Sequence, residues 1–225
     1  MTIIAENIAK RYFRKTGGAN YFYAVHPLNL EIKAGEMAVL TGRSGSGKTT
    51  LLNLLSGLLP PTEGKIRVNE TDLYSLNDKA LSRLRCETFG VVPQGRSAID
   101  TLTVMENILL PARLYGLPPS SAEDWLERLG IAHLRDARPT DLSGGELRRM
   151  AIARALVQSP DFLFADEPTG DLDDENTHLV LSAFRDYAHA QQKVVFVVTH
   201  ENDAVSYADR VYKMDAGKLT EIPGS

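Results

Sequence analysis

The stretch GRSGSGKTT, Gly42 to Thr50, decides the fold, because it follows the apolar run Met37-Ala-Val-Leu-Thr41 and opens the apolar run Leu51-Leu-Asn-Leu-Leu55. Strand, glycine-rich loop and helix in that order make a phosphate cradle. Gly42, Gly45 and Gly47 lack a Cβ, so the backbone can turn its N–H groups inward around phosphate oxygens, and a helix starting near Lys48 adds the positive end of its dipole. The full spacing G-x-x-x-x-G-K-[ST] is met, which a merely flexible Gly/Ser turn would not require. Lys48 is then placed to reach the β and γ phosphates, and Thr49 to offer its hydroxyl to Mg²⁺.

Two further stretches extend this reading. Phe162-Leu-Phe-Ala-Asp166-Glu167 sets two carboxylates directly after an apolar run, where the carboxyl end of a parallel strand opens toward a ligand. Asp166 is expected on the metal side. Glu167 is expected to orient and deprotonate the attacking water, since phosphoryl transfer needs positioning, charge neutralisation and an in-line nucleophile. Leu142-Ser-Gly-Gly-Glu146 precedes a helix with the basic pair Arg148-Arg149, and Ser143 is a good N-cap. Its functional reading is a second anion-binding helix start, aimed at a phosphate that need not belong to the same chain.

Composition sets the outer limits. The chain has 225 residues, 43% hydrophobic and 24% charged, which suits one globular core with a small subdomain. A net charge of −4 argues against a protein that works mainly by gripping nucleic-acid phosphates. The lone Cys86 can form no internal disulfide, which fits a reducing compartment. No signal-peptide pattern opens the chain and no run approaches the length of a membrane span, so any membrane contact is expected through a partner.

Loose alternation over Thr2–Ala9 and Tyr21–Ile32 predicts paired strands, with a hairpin loop at Thr16–Asn20. Short strands are expected at Lys65–Val68 and Phe89–Val92, with a helix from Ser75 to Leu84 between them. Thr103 to about Gly130 has helical spacing, interrupted at Gly116-Leu-Pro-Pro119, and Trp125 reads there as packing because its apolar neighbours recur at helical intervals. Then follow a helix over Glu146–Val157, a strand at Phe162–Ala165, a helix from Asp173 to about Ala190 and a strand at Val194–Val198. The last two strands are continuous apolar runs, as expected of strands buried on both faces of a parallel sheet.

Taken together, these motifs resemble those of the ATP-binding cassette (ABC) ATPases, the nucleotide-binding subunits of ABC transporters. LSGGE is similar to the family signature and stands between Val91-Val-Pro-Gln94 and FLFADE; Pro168-Thr-Gly-Asp-Leu-Asp173 and Val198-Thr-His200 follow in the family's order. The resemblance implies an α/β P-loop NTPase fold with a mostly parallel core sheet, an N-terminal antiparallel β subdomain and an inserted α-helical subdomain. It implies a single domain over 1–225, with 1–93 and 160–225 as core and about 94–159 as the helical part.

The resemblance also implies site roles, with ATP and Mg²⁺ as ligands. Gly42, Arg43, Ser44, Gly45, Ser46, Gly47, Lys48, Thr49 and Thr50 would bind the phosphates. Tyr12 resembles the aromatic that stacks on adenine, with Phe13, Tyr21, Phe22 and Tyr23 as competitors. Gln94 would sense Mg²⁺ and water, alongside the metal residues Thr49 and Asp166, and His200 would contact the γ-phosphate to complete a catalytic set with Glu167. In the family two cassettes face head to tail, so Ser143, Gly144, Gly145 and Glu146 would close on ATP held by another copy, and Asp173 would communicate across the interface. Arg43 in the loop, Pro93 before the glutamine and Glu146 where glutamine is frequent depart from the commonest pattern without removing a required group.

The combination of motifs looks most like the bacterial lipoprotein-release, macrolide-export and cell-division ATPases, whose partner is an integral membrane permease. A cytoplasmic protein held at the inner face of the membrane by that permease is the expectation. The groove between the helical subdomain and the core, near Gln94 to Leu110, is expected to receive a permease helix through apolar Ile99, Leu102 and Val104 near Gln94 and Arg96, with packing inside the subdomain as the alternative for each apolar residue. The alternative within the family, a soluble ATPase of DNA repair or translation, would be expected to carry tandem cassettes, zinc modules or coiled-coil insertions.

Overall fold

The computed structural model describes residues 1–15, 19–116 and 122–222. The expected hairpin tip at 16–18 and the residues 117–119 of the predicted helix break lie outside them. The first two strands, β1 (Thr2–Lys15) and β2 (Ala19–Lys33), run antiparallel and are longer than their alternation suggested. β3 (Met37–Thr41) leads into α1 (Lys48–Leu55). β4 (Glu63–Val68) and the two-residue β5 (Thr71–Asp72) complete a four-stranded antiparallel sheet in the order β2-β1-β4-β5.

The helix expected from Ser75 begins three residues later. Asn77 caps α2 (Asp78–Thr88) by accepting the Ala80 N–H at 2.9 Å, whereas Leu73–Ser75 forms a separate 3₁₀ turn capped by Asp72. After β6 (Phe89–Val92) come α3 (Val104–Tyr115), α4 (Ala122–Arg128) and α5 (Gly144–Leu156). The chain then alternates through β7 (Phe162–Asp166), α6 (Asp174–Ala190) and β8 (Val194–Thr199), and ends in β9 (Arg210–Asp215) and β10 (Lys218–Ile222). The larger sheet has the order β10-β9-β3-β8-β7-β6 and is parallel throughout except for β10.

This sheet explains the continuous apolar runs. Phe162, Phe164, Val194, Phe196 and Val198 point into a core shared with α1 and the antiparallel sheet, while Leu163, Ala165, Val195 and Val197 point into a second core with α3 to α6. Trp125 is packing, 3% exposed and edge-on to Tyr187 at 5.8 Å. Val104 corrects the expected groove. It is fully buried in the helical core, because the capping box Thr103–Glu106 starts α3 just ahead of it and turns its side chain inward. Ile99 alone of the three is fully at the surface, at 41% exposure.

Candidate active site

Parallel register brings the chemistry to one edge. Thr41 pairs with Thr199, Asp166 with Val198 and Val92 with Ala165, so the carboxyl ends of β3, β8, β7 and β6 finish nearly level. The residues just beyond those ends are Gly42, His200, Glu167 and Gln94. Tyr12, Gly42 to Thr50, Gln94, Glu167 and His200 line a single cleft of ≈ 1720 Å³, together with Phe22, Tyr23 and Lys213. Sequence reasoning placed all the former there. Tyr12 and Phe22 share the aromatic end, with ring centroids 6.0 Å apart and planes tilted by 31°, while Phe13 and Tyr21 form a separate pair outside the cleft lining.

The loop can take its shape only with glycine at two places. A Cβ on Gly47, at φ 106°, would stand 2.2 Å from the Ala24 carbonyl oxygen, and one on Gly42 would stand 2.3 Å from that of Met214. Lys48 is 6% exposed, and its Nζ donates to the Gly42 carbonyl at 2.8 Å and the Arg43 carbonyl at 3.3 Å. Those bonds curl the ammonium back over the loop, where a phosphate would meet it. Ser46 Oγ is buried there without a protein partner.

Glu167 is held in the left-handed region at φ 49°, a strained conformation for a residue with a Cβ, and its N–H donates to the Val198 carbonyl at 2.8 Å. Its Oε2 accepts the Thr199 hydroxyl at 3.0 Å and the His200 backbone N–H at 3.2 Å, and His200 Nδ1 lies 3.0 Å away. Its Oε1 faces Lys48 Nζ at 3.8 Å. Thr199 was not singled out in the sequence; only the pairing of β7 with β8 places its hydroxyl on this carboxylate.

Asp166 lies behind the cleft, 3% exposed, with Oδ1 buried and without a hydrogen-bond partner. Burial raises its pKa, opposed by a hydrogen bond with Thr49; the Glu167 charge adds to the rise, and Lys48 and Arg148 oppose it. A free carboxylate oxygen beside a threonine hydroxyl is a hard-oxygen set that suits Mg²⁺, which takes few protein ligands and keeps water and phosphate oxygens.

Ser143, Gly144, Gly145, Glu146 and Asp173 stand outside the cleft of their own chain. The Ser143 start of α5 is a closed capping box: Ser143 N–H donates to Glu146 Oε2 at 2.7 Å, Ser143 Oγ donates to the same oxygen at 2.8 Å, and Glu146 N–H donates back to Ser143 Oγ at 3.3 Å. The Ser143 N–H, then its hydroxyl, hold the Glu146 carboxyl below its usual range. Asp173 caps α6 by accepting the Asn176 N–H at 2.8 Å, which lowers its pKa likewise. Among the described residues, no helix is long and apolar enough to cross a membrane.

Comparison with known proteins agrees with this geometry. Residues 25–170 match the ABC transporter family. The chain is 37% identical over 209 residues to the ABC transporter ATP-binding protein YtrE of Bacillus subtilis (strain 168), covering 91% of this chain and 90% of that one. It is 36% identical over 219 residues to the lipoprotein-releasing system ATP-binding protein LolD of Saccharophagus degradans, covering 96% and 95%. Its fold superposes with a TM-score of 0.88, at 31% identity over 99% of this chain and 100% of the other, on the dimeric post-hydrolysis state of the ATP-binding cassette MJ0796 bound to ADP and Pi. A glycine loop, Glu167 and His200 lining one cleft at the carboxyl edge of a parallel sheet, in a chain with these relatives, make this protein a member of the ABC transporter family, an ATP-binding cassette ATPase.

Proposed function

We propose that this cassette is the ATP-driven subunit of a membrane transporter of the lipoprotein-release and export type, working as a head-to-tail pair with a second copy and attached through a permease to the inner face of the cell membrane. The observation that supports it most is the division of the site. Gly42 to Thr50, Gln94, Glu167 and His200 share one cleft, while Ser143 to Glu146 and Asp173 stand apart from it.

A closed pair supplies what one chain lacks. Tyr12, with Phe22 beside it, carries the adenine; the loop N–H groups and Lys48 hold the β and γ phosphates; Ser143 and Gly145 of the second copy close over the γ-phosphate. Bound Mg²⁺ supplies charge neutralisation at the phosphates, and Thr49, Asp166 and Gln94 are the residues that would hold it. Glu167 takes the proton of the attacking water, and His200 steadies both Glu167 and the γ-phosphate. Residues 94–159 form the subdomain that moves on closure, and Asp173 faces the partner. Such a dimer accords with the dimeric state in which MJ0796 has been solved.

The test is co-purification of the tagged chain from detergent-solubilised membranes of its own host. Recovery with an integral membrane protein is expected. Recovery from the soluble fraction alone would favour a soluble ATPase of DNA repair or translation.

A further inference from the structure

Arg148 stands on α5 two residues beyond Glu146 and is only 7% exposed. Its Nη1 donates at 2.7 Å to the Pro93 carbonyl, the peptide that carries Gln94. Its Nη2 lies 3.9 Å from Asp171 Oδ2, in the turn between Glu167 and α6. Further along the same helix, Arg154 Nη1 donates at 2.6 Å to the Ser97 carbonyl. The loop 93–97 is therefore held to α5 at both ends by guanidinium groups. Between the two holds lies a cleft of ≈ 120 Å³ lined by Gly95, Ser97, Gly144, Leu147 and Asp171. Ala98, Leu147 and Ala151 supply the apolar part of that lining, and Ala98 and Leu147 pack against the helical core, so the guanidinium bonds add direction to apolar contact in setting the position of the loop.

We infer that Arg148 is a positioning residue for turnover, tying the Pro93–Gln94 peptide and Asp171 to the helix that starts at Ser143. A phosphate received at Ser143 from a second copy then also fixes where Gln94 stands in its own cleft. This rests on the two-copy reading above. A planar guanidinium suits the role, since its fork holds two acceptors at a fixed angle, which a lysine ammonium does less rigidly and a glutamine amide does without charge.

The experiment compares wild type, Arg148→Lys and Arg148→Gln for kcat and KM of ATP hydrolysis, and Glu167→Gln with and without Arg148→Gln for MgATP-dependent dimerisation. Arg148→Gln should lower kcat by about 10–100-fold, as loss of a supporting contact to a reactive shell does, and leave KM unchanged. Arg148→Lys should recover part of that loss. The double variant should still dimerise, because Ser143 itself is intact. Wild-type kcat in Arg148→Gln would overturn the inference, as would equal losses in the Lys and Gln variants, which mark a packing role. Loss of the dimer in the double variant alone would also overturn it, placing Arg148 in the dimer contact. A Glu167→Gln protein that stays monomeric would instead sink the two-copy reading, and the kcat comparison would still decide whether Arg148 positions Gln94.

Discussion

The loop at Gly42–Thr50 and the helix start at Ser143–Glu146 both present a helix N-terminus preceded or opened by glycine, yet they differ in how much of their hydrogen bonding is already spent. Around the loop, Ser46 Oγ and Asp166 Oδ1 are buried without partners, and Lys48 donates hydrogen bonds to the loop's own carbonyls and faces the Glu167 carboxylate at 3.8 Å. At Ser143 the hydroxyl and N–H are both used within the capping box. The first region leaves buried polar groups open for the phosphates of a bound nucleotide. The second is a finished helix cap, exposed to solvent, that gains a ligand only by exchanging a local bond for one to another molecule. Unsatisfied buried groups are costly, so the difference marks where the chain gives up stability for ligand binding and where it does not.

The contrast can be broken most severely at Lys48. Lys48→Ala removes the one buried ammonium aimed into the cradle, and hydrolysis should fall to background while MgATP affinity drops, as read by calorimetric titration. Unchanged affinity and turnover would remove the loop from the site. A smaller effect tests the cost of incompleteness. Burial raises the Asp166 pKa above its ordinary 3.8, so the ionised carboxylate destabilises the fold. That cost is absent below the unfolded pKa, grows as pH rises toward the folded one, and is complete above it. Asp166→Asn should therefore raise Tm at about pH 7, while abolishing Mg²⁺-dependent turnover, and the gain should shrink toward about pH 4. An unchanged or lower Tm at every pH would show that the unpartnered oxygen carries no penalty.

Much of this was legible in the sequence. β7 and β8 are apolar on both faces because each separates two cores, and that shows as an unbroken run. β9 and β10 were not anticipated. β9 alternates buried Val211, Tyr212 and Met214 with exposed Lys213 and Asp215, and β10 is an edge strand with little buried, so neither gives a run or a clean period. Ser75 looked like a helix start, but Asp72 captures it in a 3₁₀ turn and Asn77 begins the helix instead. The loop, Asp166 and Glu167 could be found because fixed spacing after a strand encodes them, and His200 through the resemblance of Val198-Thr-His200 to the family's motif. The left-handed Glu167, the Thr199 hydroxyl on its carboxylate and the Arg148 bond to Pro93 depend on neighbours more than 30 residues away, which no local pattern records.

In the proposed pair, a site complete on one side in each chain is finished by Ser143 of another. This is tested by light scattering on Glu167→Gln with MgATP, a substitution that keeps shape but removes the base and should slow the chemical step by roughly 10²–10⁴-fold. Uncleaved ATP then bridges Lys48 of one copy and the Ser143 helix start of the other. Wild type should run mainly as monomer during turnover, Glu167→Gln as dimer, and Glu167→Gln with Ser143→Arg as monomer again. A Glu167→Gln protein that binds ATP and remains monomeric, or a dimer indifferent to Ser143→Arg, would contradict the shared site.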